Sequence, residues 1–288
     1  MSKARVNGEV LEGVAATSLW TLRNRAVEAM NPRSDFEDPW SVRLYESIDY
    51  DFDRFGRPSQ SHPLRAGAID AAVRGYLAAH PAATIVALGE GLQTTYWRTG
   101  RPDVDWLSVD AAAVLDVRAR LLPPEPRIIP LAVSALDRSW RDRVDPARGV
   151  LIVAEGLFMY LPPAEVLALI ADCAQRFPGG QLIFDSIPAW FSRRTLAGLN
   201  LSDRYTAPPM PFHLSVTEAG RLATEIPQVV RAVDVALPPG RGLWRSRVLR
   251  RLSNLPPLRD RRPSLTLLTF AGHPGEARRA TGRDLGGS

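Results

Sequence analysis

The sequence has almost no cysteine and almost no lysine. Cys173 is the only cysteine among 288 residues, which excludes an internal disulfide framework and a cysteine-based metal cage; no metal site is expected. Lys3 is the only lysine, so arginine supplies nearly all the positive charge behind the net charge of +5. Apart from a local excess over residues 241–262, the arginines are spread along the chain. A nucleic-acid-binding protein is expected to concentrate them in one patch.

Several common signatures are also missing. No apolar run approaches the roughly 18 residues that a membrane-spanning helix needs, and no apolar segment typical of a signal peptide follows the N-terminus. We therefore expect a cytoplasmic protein without a membrane partner. The P-loop, HExxH and GxSxG motifs do not occur, so P-loop, zinc-protease and α/β-hydrolase functions have no support.

The chain does contain an alternation of short β-rich apolar runs and helical segments. The runs lie at residues 84–88, 106–109, 128–133, 150–154 and 182–184, with helical patterns at 64–79, 111–121 and 163–176. Strands that alternate with helices predict an α/β protein with a mostly parallel, Rossmann-like sheet covered on both faces. Two further runs, at 229–236 and 264–271, predict late strands separated by an arginine-rich insert.

These patterns predict one domain with four parts. Residues 1–60 form a helical N-terminal cap, with helices over 17–30 and from Asp38-Pro39 onward. Residues 64–188 form the cofactor-binding core. Residues 189–262 supply lid elements on the substrate side, and residues 275–288 form a disordered tail.

Two glycines follow the first predicted strand, in Leu88-Gly89-Glu90-Gly91. Glycine allows a sharp turn and a close approach of the backbone to a ligand. The carboxyl end of such a strand is where nucleotide-like ligands bind in open α/β sheets. Thr94 stands where a dinucleotide-binding GxGxxG motif needs its third glycine, which weakens that alternative. A plain tight turn also remains open.

Acidic residues end two other predicted strands. Asp110 follows the second strand, about 20 residues beyond the glycine loop, where an acid can accept hydrogen bonds from ribose hydroxyls. It could instead cap a helix that starts at Ala111. Glu155 follows the fourth strand and suits an ammonium or sulfonium group; a helix cap or a buried ion pair is the alternative.

An ordered set of segments between Thr17 and Pro188 resembles the leucine carboxyl methyltransferase family, in the branch of the tetracenomycin-type polyketide O-methyltransferases. The matching segments are residues 25–28, 38–39, 88–94, 109–110, 118–123, 134–140, 154–161, 176–180 and 184–186. The most specific of them is Glu155-Gly156-Leu157-Phe158-Met159-Tyr160-Leu161.

The resemblance implies a class I methyltransferase fold with a C-terminal antiparallel strand pair, and S-adenosylmethionine as the methyl donor. Its cofactor-binding positions correspond to Arg65, Gly89, Gly91, Asp110, Ser134, Ala135 and Glu155 in this sequence. Ser134-Ala135 replaces an Asp-Leu pair on the adenine side, where Asp137 could substitute. Gln93-Thr94-Thr95 replaces an Asp-Thr-Arg segment, so a contact through that acid and that arginine does not carry over.

The methyl acceptor is expected to be a small molecule, polyketide-like, with a carboxylate or a hydroxyl as the nucleophile. A carboxylate is ionised at neutral pH and needs cations and hydrogen-bond donors, whereas a phenol gains from a general base. Candidate catalytic residues are Arg25, Tyr160 and His213. The protein is expected to be a monomer or a homodimer and not to bind nucleic acid.

Two other functions remain open at this point. An NAD-type oxidoreductase would share the order of strand, glycine loop and acid, although the third glycine and a Tyr-x-x-x-Lys pair are missing. A nucleic-acid-binding module would use the arginines of residues 241–262.

Overall fold

A seven-stranded sheet forms the centre of the computed structural model, which describes residues 5–272. In chain order its strands are β1 (Thr84–Leu88), β2 (Trp106–Val109), β3 (Ile128–Leu131), β4 (Val150–Ala154), β5 (Gln181–Ser186), β6 (Val229–Asp234) and β7 (Ser264–Phe270). Across the sheet the order is β6-β7-β5-β4-β1-β2-β3. β1 to β5 are parallel, and β7 is antiparallel to β5 and β6. The expected mostly parallel sheet with a C-terminal antiparallel pair is confirmed.

The strand sequences follow from their positions in the sheet. Every residue of β1, β2 and β4 is buried, because helices cover both faces of the central strands, and a continuous apolar run is the result. β3 is an edge strand with partly exposed residues and contains Pro130, which lacks the N–H that a central strand needs.

Helices cover the sheet and extend beyond it. They are α1 (Thr17–Ala29), α2 (Pro39–Ser47), α3 (Ser61–Ala79), α4 (Thr95–Arg98), α5 (Ala112–Leu121), α6 (Pro163–Arg176), α7 (Ala189–Leu196), α8 (Val216–Glu225), α9 (Arg247–Ser253) and α10 (Pro256–Arg259). No helix within residues 5–272 is long and apolar enough to cross a membrane.

The N-terminal cap is built from α1 and α2, joined by a two-stranded parallel pair, Val6–Asn7 with Ile48–Asp49. Asp38 caps α2 by accepting a hydrogen bond from the Ser41 N–H, with Pro39 in the first turn as predicted. α3 begins at Ser61, three residues before the predicted start at Leu64, because a proline in the first turn does not interrupt a helix. Residues 61–63 therefore belong to the helix that leads into the core.

The chain after β5 contains the segment that the sequence predicts as lid elements. α7 is followed by a short antiparallel hairpin, Asn200–Ser202 with Tyr205–Thr206, and by α8, where Ser215 and Glu218 make a capping box. The arginine-rich insert between β6 and β7 contains α9 and α10. The tail predicted over 275–288 lies outside the described residues.

Two apolar cores lie on the two faces of the sheet. One joins the cap, α3 and α5 to the sheet, and the other joins α6 and α8 to it. In the second core Trp140 is fully buried, stacks on Phe177 with ring centroids 6.1 Å apart, and donates its indole N–H to the Ala135 carbonyl at 3.0 Å.

We predict that Trp140→Ala lowers the free energy of unfolding by about 3–5 kcal/mol, because it removes a fully buried indole and leaves a cavity. Urea unfolding followed by circular dichroism measures the change. Trp244→Ala is the matched control: Trp244 is 44% exposed, so its loss should cost no more than about 1 kcal/mol. Equal losses in the two variants would contradict the assignment of Trp140 to the core.

Candidate active site

The chain reverses direction across the sheet between β1 and β4. β2 and β3 lie on one side of β1, and β4 and β5 lie on the other. The carboxyl ends of β1 and β4 therefore flank a topological switch point, the place where ligands bind in open α/β sheets. Gly89 follows β1 there and Glu155 follows β4.

The loop after β1 turns through two left-handed glycines. Gly89 has φ of 58° and Gly91 has φ of 56°, a conformation that other residues rarely adopt. A Cβ on Gly89 would lie 2.7 Å from Cδ1 of Leu157, so position 89 tolerates no side chain while Leu157 stays in place. The cavity between this loop and Glu155 measures about 10 Å³, the space of about one water molecule.

Glu90, between the two glycines, points into the protein. Its carboxylate accepts a hydrogen bond from the Trp106 indole N–H at 3.0 Å and from the Ser108 hydroxyl, and it pairs with Arg118 at 2.9 Å. Burial raises the pKa of Glu90, against the pull of Arg118. Arg118 also donates to the Gly91 carbonyl at 2.9 Å. Glu90 and Arg118 thus fix the glycine loop to β2 and α5.

Asp110 faces the same loop from the end of β2. One carboxylate oxygen accepts from the Gly91 N–H at 2.6 Å and the other from the Ala111 N–H at 2.7 Å. α5 begins at Ala112 after Ala111, with no side-chain cap, so Asp110 does not cap it. Burial raises the pKa of Asp110, and the two N–H groups oppose that rise. Each oxygen keeps a lone pair for a further donor.

Arg65 connects α3 to the ends of two strands. Its Nε donates to Glu155 at 2.9 Å and its Nη1 to Asp185, at the end of β5, at 2.5 Å. Asp185 in turn accepts from the Gly156 N–H at 2.6 Å. Within residues 5–272, Nη2 of Arg65 and Oε2 of Glu155 are buried without a hydrogen-bond partner. A buried donor and a buried acceptor are left at the edge of the sheet.

A second buried ionic network joins the cap to the glycine loop. Arg25 is fully buried, donates to the Leu92 carbonyl at 2.7 Å, and lies 3.5 Å from Asp38. Asp38 also accepts from the Thr94 hydroxyl and from Arg98, which binds Asp70 as well. Burial lowers the pKa of Arg25 to about 10, so it remains charged at neutral pH.

Comparison with known proteins identifies the family. The family model described as leucine carboxyl methyltransferase matches residues 18–174. The tetracenomycin polyketide synthesis O-methyltransferase TcmP of Streptomyces glaucescens is 33% identical over 187 residues, 64% of this chain and 69% of that protein. The chain belongs to the leucine carboxyl methyltransferase family.

Solved structures show weaker likeness. An O-methyltransferase family protein from Burkholderia thailandensis is 13% identical with a TM-score of 0.47, over 90% of this chain and 72% of that one. A putative O-methyltransferase from Nostoc punctiforme is 13% identical with a TM-score of 0.46, over 91% of this chain and 71% of that one.

Membership of the leucine carboxyl methyltransferase family confirms several expectations from the sequence. The protein is an O-methyltransferase that uses S-adenosylmethionine, and its α/β sheet is that of a class I methyltransferase. The oxidoreductase alternative finds no support among these relatives, and neither does the nucleic-acid-binding module.

Arg98 and Asp185 are the residues of this methyltransferase site that the sequence analysis did not single out. The Asp-Thr-Arg segment expected in the family is absent at 93–95, but Arg98 on α4 reaches back to Thr94 at 2.7 Å. Arg98 also donates to Asp70 on α3 at 2.8 Å and to Asp38 at 3.0 Å, and the local sequence does not predict these two long-range contacts. The signal for Asp185 was present, since Phe184-Asp185-Ser186 ends a predicted strand beside Glu155.

The adenine-side residues lie on the loop after β3. The Ser134 hydroxyl accepts from the Leu136 N–H at 3.2 Å, and Ala135 is buried next to Trp140. Asp137 is exposed and caps the following turn through the Ser139 N–H at 2.8 Å. The loop therefore has backbone groups and the Ser134 hydroxyl available to a ligand. The Asp137 carboxylate already accepts a hydrogen bond within its own turn.

Two of the three candidate catalytic residues, Arg25 and Tyr160, lie near Arg65, whereas His213 lies at the start of α8. Arg25 is enclosed by the network above. Tyr160 lies beside Arg65, and burial raises its pKa to about 12. His213 lies near Glu218 at the start of α8, and within the described chain its buried Nδ1 has no hydrogen-bond partner.

Phe191 packs with Tyr160 in a small apolar cluster, and an aromatic cluster beside Tyr160 includes Tyr205. Its ring lies 4.7 Å from Phe55 and 6.2 Å from Trp20. Phe212 packs in the core, and Trp190 and Trp244 are more than 40% exposed.

We predict that Asp38→Asn lowers the free energy of unfolding by about 3 kcal/mol, because Arg25 and Arg98 lose their shared carboxylate. Chemical denaturation measures this loss. Asp53→Asn is the control, since Asp53 is 83% exposed in its pair with Arg23 and should contribute under about 1 kcal/mol.

The effect of pH gives a second readout for Asp38. Burial alone would raise its pKa, but Arg98 and Arg25 lower it. The ionised Asp38 carboxylate therefore adds to the free energy of unfolding above its unfolded-state pKa of about 4. This contribution is lost as the pH falls through the lower pKa of Asp38 in the folded state. Asp38→Asn should remove that part of the acid dependence; an unchanged acid profile would contradict it.

Proposed function

We propose that S-adenosylmethionine binds across the carboxyl ends of β1, β2 and β4, and that the methyl acceptor is the carboxylate of a small aromatic, polyketide-like molecule. The main support for the cofactor site is that two buried atoms, Arg65 Nη2 and Glu155 Oε2, have no hydrogen-bond partner within the described residues. Buried polar groups are nearly always satisfied, so this pair favours a ligand with a matching acceptor and donor. The carboxylate and ammonium of the cofactor's methionine end provide both.

The other residues proposed to bind the cofactor lie at or beside the same edge of the sheet. Gly89 and Gly91 allow close approach of the backbone, and Asp110 has lone pairs for the ribose hydroxyls. Ser134 and Ala135 would border the adenine, and Arg25 would add positive charge behind the loop. Binding here requires Leu157 to move off Gly89, because a nucleoside cannot share its volume.

The bound cofactor supplies a methyl group already activated by its sulfonium. The residues of this chain must hold the acceptor oxygen in line with that methyl group and keep water out. In this proposal the cap (residues 1–60) and the lid (189–262) would do so around the core (64–188). Arg241 of the lid binds Glu28 of the cap at 2.6 Å, which supports joint closure of the two regions.

A carboxylate acceptor fits the groups near Arg65. Burial raises the pKa of Tyr160 to about 12 and raises that of Tyr205, so neither hydroxyl removes a proton at neutral pH. A carboxylate needs no base, and the cations and hydroxyls present suit its recognition. Trp20, Phe55 and Tyr205 supply an aromatic wall. The similarity to TcmP, an O-methyltransferase of polyketide synthesis, favours a polyketide-like substrate.

We predict that Asp110→Ala weakens binding of S-adenosylhomocysteine at least about tenfold, about 1.4 kcal/mol, because the ribose loses its acceptor. Isothermal titration calorimetry measures the affinity. Asp116→Ala on α5 is the control, since it removes the same charge from an exposed position and should leave the affinity unchanged. A folded Asp110→Ala protein with wild-type affinity would argue against this site, and wild-type binding of NAD alone would reject the cofactor assignment.

We predict that methyl transfer to aromatic polyketide acids yields base-labile methyl esters. The rate should stay nearly constant from about pH 6.5 to about pH 9, because the acid is ionised throughout. Transfer of a labelled methyl group, with mass spectrometry of the product before and after mild alkali, measures both. Phenols of the same ring system are the control. Alkali-stable ethers whose rate rises with pH would show a phenolic acceptor instead.

A further inference from the structure

Asn24 on α1 and His62 on α3 meet at the junction of the cap and the core. The Ser59 backbone N–H donates to Oδ1 of Asn24 at 3.1 Å, and Nδ2 of Asn24 lies 2.5 Å from Nδ1 of His62. A backbone N–H can only donate, so the Asn24 atom that it contacts must be the amide oxygen. The amide nitrogen is the atom that faces His62.

This arrangement determines the tautomer of His62. An amide NH2 group only donates, so Nδ1 of His62 must accept and carries no proton. A neutral imidazole then has its proton on Nε2. Within residues 5–272, Nε2 of His62 has no hydrogen-bond partner at the distances that define the other bonds. His62 therefore presents an N–H donor that the protein does not use.

His62 lies on the face of α3 that carries Arg65. The two residues are three positions apart, which places their side chains on the same side of a helix. The His62 ring packs edge-to-face on Trp20 with centroids 4.9 Å apart, and Trp20 continues to Tyr205. His62 keeps some accessible surface although it is surrounded by α1, α3 and these aromatic rings. It thus lies beside the aromatic residues that are proposed to contact the acceptor.

The surroundings keep His62 uncharged. Burial lowers the pKa of His62 well below its usual value, and the charges of Arg65 on α3 and Arg25 on α1 lower it further. From α1, the uncharged Trp20 ring and the neutral Asn24 amide also contact the imidazole. No carboxylate contacts the ring within the described chain.

We propose that Asn24 locks His62 as a hydrogen-bond donor at Nε2, and that this N–H binds a carboxylate oxygen of the methyl acceptor and so selects an anion over a protonated hydroxyl. The inference rests on the proposed carboxylate acceptor. It assigns His62 a role in specificity and excludes it as a general base, because its only basic nitrogen already accepts from Asn24.

Asn24→Asp tests the lock directly. An aspartate keeps an oxygen for the Ser59 N–H but presents its second oxygen to Nδ1, which must then carry the proton. The imidazolium form gains a partner, so the pKa of His62 rises. Below the new pKa the ring still has an Nε2–H; above it, Nε2 becomes a bare acceptor that repels a carboxylate.

For Asn24→Asp we expect KM for the acceptor acid to rise at least about tenfold as the pH increases through the new His62 pKa, with a smaller change in kcat. Wild-type KM should stay flat over the same range. Binding of S-adenosylhomocysteine, followed by calorimetry, should be the same in both proteins. A KM of Asn24→Asp that is as flat as that of the wild type would overturn the proposal.

Substitutions of His62 separate a donor from a base. His62→Gln keeps an amide N–H near the position of Nε2 but takes up no proton, so kcat/KM should stay within a few-fold of wild type, whereas His62→Leu should raise KM about tenfold or more. If His62→Gln loses turnover as completely as His62→Leu, with kcat rather than KM affected, the residue is a base and the proposal fails.

The tautomer can also be read without any variant. Long-range proton–nitrogen correlation spectra of the wild-type protein labelled with nitrogen-15 in histidine should show His62 as the Nε2–H form across neutral pH. An Nδ1–H form overturns the inference even if the variants do not fold. Failure of the wild type to bind S-adenosylhomocysteine or to form a base-labile ester would instead reject the proposed function.

Discussion

The ion pairs of Arg65 with Glu155 and Asp185 are the constraint on which the site depends. Two carboxylates that end neighbouring parallel strands would repel each other if they were both ionised and unpaired. One guanidinium lies between them, 2.9 Å from Glu155 and 2.5 Å from Asp185, and attaches α3 to the sheet. The interaction uses only part of each partner. Within the described residues one nitrogen of Arg65 and one oxygen of Glu155 have no hydrogen-bond partner, and the proposed cofactor site uses both.

The second ionic network holds the glycine loop in position. Arg25, Asp38 and Arg98 connect the cap to the loop that carries Gly89 and Gly91, while Glu90 and Arg118 connect the same loop to β2 and α5. Buried charges of this kind add little net stability, because desolvation offsets much of their attraction. Their effect is positional: they hold a glycine-rich turn in one conformation without side chains that would occupy the ligand's space.

Side chains of the cap contact the candidate site as well as covering it. α1 supplies Trp20 and, one turn later, the adjacent Asn24 and Arg25. They face, respectively, the aromatic cluster, His62 and the glycine loop. A single helix thus contacts each part of the site. This explains why residues outside the sheet are expected to decide which acceptor is methylated, while the sheet edge decides the cofactor.

The sequence by itself determined the sheet, the glycine turn, the acids at the strand ends and the family, because these depend on local patterns: apolar runs, backbone freedom of glycine and the order of motifs along the chain. It did not predict the contacts of Arg98 with Asp70 and Asp38, or show that Trp190 and Trp244 face solvent while Phe212 lies in the core. Those outcomes, like the proton position on His62, depend on contacts between residues tens of positions apart. Only the tertiary structure decided them. A hydrogen bond or a packing contact depends on which residues are close in space, and contacts between distant residues produce no periodic pattern in the sequence.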